Sequence, residues 1–121
     1  AAARACVALR LADYALALPE LERAIESSPD DPYWRLYRLT ALRRLGRPVE
    51  AAEGPAGGAW PAPLFTLFSG NADSDAVLAA ADRPGRRIEA LFQLERYKEA
   101  VETAPPAMIE YAAARNELAR R

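Results

Sequence analysis

Ala17 and Ala51 sit in matching surroundings, and the step between them constrains the chain more than any other feature. The first window reads Asp13-Tyr14-(x2)-Ala17-(x3)-Leu21-(x2)-Ala24-Ile25-(x3)-Pro29. The second reads Trp34-(x4)-Leu39-(x1)-Ala41-Leu42-(x2)-Leu45-Gly46-Arg47-(x2)-Glu50-Ala51. A third variant, Ala90-Leu91-(x2)-Leu94-Glu95-Arg96-Tyr97-(x1)-Glu99-Ala100, comes later. A fixed period of about 34 residues marks a helix-turn-helix repeat, and the step from Ala17 to Ala51 has that length. The steps from Ala51 to Ala76 and from Ala76 to Ala100 are only about 25 residues, so the period shortens in the second half. The expected fold is therefore all-α, an α-solenoid of stacked helical hairpins wound into a right-handed superhelix with an irregular middle.

The 121 residues suffice for one domain. We expect it to be regular over 1–53, degenerate over 54–84 and built of short repeats over 85–121. The chain is 51% hydrophobic, much of it alanine, so its core depends on close helix approach. Scarce Val, Ile and Thr argue against a sheet. The net charge is -1 with both signs interspersed, so no strong field favours nucleic acid. No apolar run reaches the length of a membrane span. Arg outnumbers Lys fifteen to one, which reads as the coding bias of a GC-rich bacterial genome. Both ends are in helical pattern, as expected of cuts in a longer array. The one cysteine, Cys6, excludes an internal disulfide and suits a reducing compartment, so a cytoplasmic chain is expected, with a secreted or periplasmic one the alternative.

Local signals place the helices. Residues 1–11 read as a first helix, and Asp13 can cap a second. Pro19 predicts either a late start near Leu18 or a kink. Asp31 is a good N-cap with Pro32 in the first helical position, and Gly46 suits a left-handed C-cap near Leu45. Pro48 to Glu53 opens a partner helix, which the Gly54 to Gly58 turn breaks. Leu64 to Phe68 reads as a short helix and Ser69-Gly70-Asn71 as a turn. Further helices are expected from Asp73 to Asp82, Arg86 to Leu94, Tyr97 to Thr103, and Pro106 onward. The count is eight or nine.

The landmarks Tyr14, Ala17, Leu21, Ala24 and Pro29, then Trp34, Leu42, Gly46 and Ala51, then Leu91, Tyr97, Glu99 and Ala100, resemble the tetratricopeptide repeat family. Small residues let neighbouring helices approach and large ones fill the gaps. The resemblance covers 4–53 well, 54–84 weakly and 85–104 moderately. The Trp34 to Ala51 stretch also looks like the helical-repeat domains of bacterial transcriptional activators. The resemblance implies a protein-interaction or scaffold module that binds a peptide or helix on its concave face. A regulatory or sensor segment of a transcriptional activator or signalling protein is the alternative. The concave residues so implied are Cys6, Leu9 and Arg10, then Tyr33, Leu36, Thr40, Arg43 and Arg44, then Glu89 and Gln93. Members that grip C-terminal carboxylates place a Lys and an Asn where Leu36 and Thr40 stand, so that mode is not expected here.

The residues offer little chemistry. Histidine is absent, which removes His-based acid–base catalysis and His metal sites. Cys6, near Arg4 and Arg10, reads as a small apolar residue in a helix seam. The Asn71 to Asp82 stretch spaces oxygen ligands like a calcium loop, but Ala76 stands where glycine is needed, so the carboxylates read as caps. Gly54 to Gly58 lacks the Gly-Lys-Ser/Thr ending of a phosphate loop. Trp60, beside Pro61 and Pro63, is expected to fold back over the core. Arg43, Arg44 and Arg47 form one basic cluster and Arg83, Arg86 and Arg87 another, each expected to answer a helix dipole. Glu95, Glu99 and Glu102 read as a solvated face. No enzyme activity, cofactor or metal is expected, and oligomeric state is left open.

Overall fold

In the computed structural model the described residues are 2–49, 59–68 and 73–120, and they form an all-α chain. In order the helices are α1 (Ala2–Arg10), α2 (Tyr14–Ser27), α3 (Pro32–Arg44), α4 (Ala62–Phe65), α5 (Ser74–Ala80), α6 (Pro84–Gln93), α7 (Tyr97–Thr103) and α8 (Ile109–Ala119). A 3-10 turn, Thr66–Phe68, extends α4. The second landmark, Ala51, lies outside the described residues, as do most of the expected Pro48 to Glu53 helix, the Gly54 to Gly58 turn and the Ser69-Gly70-Asn71 turn.

The repeat is nevertheless written in the backbone. Among the described residues, positive φ occurs at Ala12 (54°), Gly46 (70°) and Glu95 (60°). The step from Ala12 to Gly46 equals the step from Ala17 to Ala51, and the step from Gly46 to Glu95 is longer. Each closes a helix by the same pair of bonds. The amide of the following residue donates back to Ala8, Leu42 or Leu91, at 2.9 Å in all three cases. The amide of the left-handed residue itself donates to Leu9, Arg43 or Phe92 at 3.0, 3.1 and 3.0 Å. This is the paired bonding that satisfies the last carbonyls of a helix and turns the chain sharply. The three elbows sit at Leu11-Ala12-Asp13, Leu45-Gly46-Arg47 and Leu94-Glu95-Arg96.

Caps set the other ends. Leu16 N donates to Asp13 Oδ1 at 3.2 Å and Tyr33 N to Asp31 Oδ1 at 3.0 Å. Asp73 caps α5 through Asp75 N at 3.0 Å. Four boundaries differ from expectation. α2 starts at Tyr14 under the expected Asp13 cap, not late near Leu18, and runs on through the exposed Pro19. α5 stops at Ala80, short of Asp82. α6 begins at Pro84 rather than Arg86, with the proline in the first helical position. α8 begins at Ile109, because Met108 N turns back to Pro105 O at 3.1 Å.

Three hydrophobic clusters hold these elements. The first joins α1, α2 and α3 through Ala5, Ala8, Leu9, Tyr14, Leu18, Leu21 and Leu42. The second places α4, α5 and α6 against α3, with Leu36, Leu39, Leu64, Phe65, Val77 and Ala90. The third joins α6, α7 and α8 through Leu91, Phe92, Tyr97, Ala100, Ala113 and Ala114. Ala17 and Ala100 are wholly buried where helices approach, whereas the middle landmark Ala76 is exposed on α5. The two shorter intervals thus do not mark an equivalent contact at Ala76.

The chain also meets itself end to end. α8 packs against α1. Asn116 Nδ2 donates to the Arg10 carbonyl at 2.7 Å, and Arg10 Nη2 donates to the Ala107 carbonyl. Stacked repeats contact their neighbours only, so this contact between first and last helices is a feature of this chain's own.

Candidate functional site

Beside its apolar contacts, α3 sends several polar side chains toward α6 and α8. The Tyr37 hydroxyl donates to Glu110 Oε2 at 2.7 Å, both residues being buried. The Thr40 hydroxyl sits 3.0 Å from Gln93 Oε1 and 3.0 Å from the Leu36 carbonyl. Arg43 Nη2 donates to the Gln93 carbonyl at 2.9 Å, and its guanidinium lies 4.6 Å from the centre of the Phe68 ring. Arg44 bridges Glu95 and the buried Glu117, and stacks over Tyr97 at 5.6 Å. Trp60 Nε1 donates to Glu89 Oε1 at 3.3 Å.

These contacts pair a tyrosine from the first half with an acid from the second. Burial, and then Glu110, holds the Tyr37 hydroxyl far above the ordinary tyrosine range. Burial and the neighbouring Glu89 do the same to Tyr33, and burial and Glu117 to Tyr14. All three stay neutral hydroxyls. Burial in turn raises the Glu110 carboxyl above its ordinary value, against the opposing pull of the Tyr37 bond. Tyr14 Oη and Glu117 Oε1 are buried without a hydrogen bond of normal geometry among the described residues.

The ten expected concave residues do fall along α1, α3 and α6, but the chain uses several of them internally. Leu9, Leu36, Thr40 and Gln93 are buried. Thr40 and Gln93 face one another, and Arg43 and Arg44 bind the second half. Cys6, Arg10, Tyr33, Arg43, Arg44 and Glu89 are half-buried and form the rim. Arg43 and Arg44 thus do more than answer the α3 dipole. Arg86 and Arg87 stand in the first turn of α6, the end whose dipole disfavours cations, and Arg86 pairs with Asp82 at 2.8 Å. Trp60 is half-buried against the second cluster, as expected. Glu95 holds an elbow and an ion pair, rather than a merely solvated place.

Sequence reasoning missed Tyr37, Glu110 and Glu117. Their partners lie far along the chain, and no local pattern marks them. No cluster of potential metal ligands occurs among the described residues. No described helix is long and apolar enough to cross a membrane. No protein-family model, curated protein or solved structure matches the chain.

Proposed function

We propose that this chain is a protein-interaction module of the tetratricopeptide-like class, a short stack of helical hairpins that binds a peptide or helix. It works by binding and carries out no chemistry. The observation that supports this most is the elbow repeated at Ala12, Gly46 and Glu95, with the same bonds each time. Repeated hairpins create extended surfaces whose natural use is recognition. Leu36, Thr40 and Gln93 are buried, so on this reading a partner meets the half-buried residues around them, chiefly Arg10, Tyr33 and Glu89.

Photo-crosslinking residues placed at Tyr33 and Glu89, in cells that make the protein, test this reading. The expected result is a discrete protein adduct at both sites and none at exposed Glu26 on α2. Absence of any protein adduct at the rim positions would overturn it.

A further inference from the structure

α8 hides a stripe with an acid at each end. Its buried residues are Glu110, Ala113, Ala114 and Glu117, which share one helix face. Each acid meets a donor on α3. The Tyr37 hydroxyl donates to Glu110 Oε2 at 2.7 Å, and Arg44 pairs with Glu117. Tyr37 and Arg44 stand seven residues apart, as Glu110 and Glu117 do. The two helices therefore run side by side in the same direction. The donor pair of one is in register with the acid pair of the other, each pair spaced about 10 Å along its axis. α8 also meets α1, where Asn116 Nδ2 donates to the Arg10 carbonyl at 2.7 Å and Arg120 Nη2 to the Leu11 carbonyl at 3.4 Å. It packs on α6 as well. α1, α3 and α6 are the helices that carry the ten residues expected to bind a ligand, and α8 lies against all three as a bound helix would.

The hold on α8 is polar more than apolar. Ala113 and Ala114 join the third cluster, but the other two buried residues of α8 are acids, whose desolvation only their partners offset. The seat is also incomplete. Glu117 Oε1 and the neighbouring Tyr14 Oη are buried without a hydrogen bond of normal geometry among the described residues, which weakens the contact. The link from α7, Pro105 to Ala107, is exposed. We propose that α8 is a built-in occupant of a helix-binding groove formed by α1, α3 and α6, displaced by a partner helix that carries two acids seven residues apart with small residues between them. Arg44 takes one carboxylate of the partner, the Tyr37 hydroxyl takes the other, and alanine-sized side chains fit the close approach between. Until a partner arrives, α8 is an autoinhibitory contact. This deepens the interaction-module reading and rests on it. Rim crosslinks at Tyr33 and Glu89 can form while α8 stays in place, so the two readings fail separately.

The probe is a labelled peptide copying residues 105–120, titrated with the full chain by fluorescence anisotropy. The tethered α8 competes at an effective concentration on the order of millimolar, so the parent binds the peptide weakly. Glu117→Lys in the chain loosens its own α8 and leaves α1, α3 and α6 unaltered, and peptide affinity rises about tenfold or more. A peptide carrying Glu117→Lys loses that gain, and Arg44→Glu in the chain reverses the preference between the two peptides. A second measurement decides even where Glu117→Lys costs the fold. Spin labels on Leu11→Cys and Arg115→Cys in a Cys6→Ser background report a longer distance once the peptide is in millimolar excess, with helical circular dichroism retained. Three results would overturn the proposal. One is no peptide binding by a Glu117→Lys chain that keeps its helical signal. Another is binding indifferent to Glu117→Lys in the peptide. The last is an unchanged distance between the labels in excess peptide, the mark of α8 as a fixed core helix.

Discussion

Gly46 is the one glycine among the three left-handed elbow residues, and its φ of 70° is what an L side chain resists. A Cβ there meets nothing within 4 Å, so substitution tests backbone conformation alone. Gly46→Ala should destabilise the chain by about 1 kcal/mol in urea unfolding with no change in the slope. Glu110 carries a different cost. Its folded carboxyl titrates above the unfolded one because it is buried, with Tyr37, Glu89 and Arg10 as its neighbours. A raised folded value means that its contribution is fully present below the unfolded carboxylate range. The contribution is lost as pH rises through the folded value. Glu110→Gln keeps an acceptor for Tyr37 and removes the charge. The variant should therefore be more stable than the parent at neutral pH, with the difference vanishing below about pH 4. Paired chemical-denaturation curves across that range measure it.

At the level of elements, an ion pair joins the Tyr37–Glu110 hydrogen bond in tying α3 to α8. Glu117 is 2% exposed and leans on Arg44. Arg44→Ala leaves the buried carboxylate only Arg120, at 3.6 Å, and should cost about 3 kcal/mol. Arg44→Met with Glu117→Met removes both charges and should recover most of that loss, as equilibrium unfolding of the single and double variants would show. Helix identity and several starts were legible in sequence because caps are local. Asp13, Asp31 and Asp73 each accept from an amide two or three residues on. The Gly46 elbow was legible for the same reason, since glycine advertises a positive φ. The elbows at Ala12 and Glu95 were hidden, because neither residue type announces that conformation. The ties Tyr37–Glu110 and Arg44–Glu117 were hidden by distance along the chain. A repeat pattern fixes which helices pair in sequence order, not which faces meet when the chain curls round.

Taken whole, the molecule joins two helical halves, α1 to α3 and α6 to α8, through buried polar pairs, with α8 lying back on α1. That closure is why several residues expected on an open concave surface, Leu36, Thr40 and Gln93 among them, are interior. It is the central claim, and a distance between the first and last elements tests it most directly. Spin labels on Leu11→Cys and Arg115→Cys, both exposed, in a Cys6→Ser background report that separation by pulsed dipolar spectroscopy. Closure predicts a single narrow, short distance that is lost in the same urea transition as helical circular dichroism. A long or broad distribution in native buffer, as from an open row of hairpins, would contradict it.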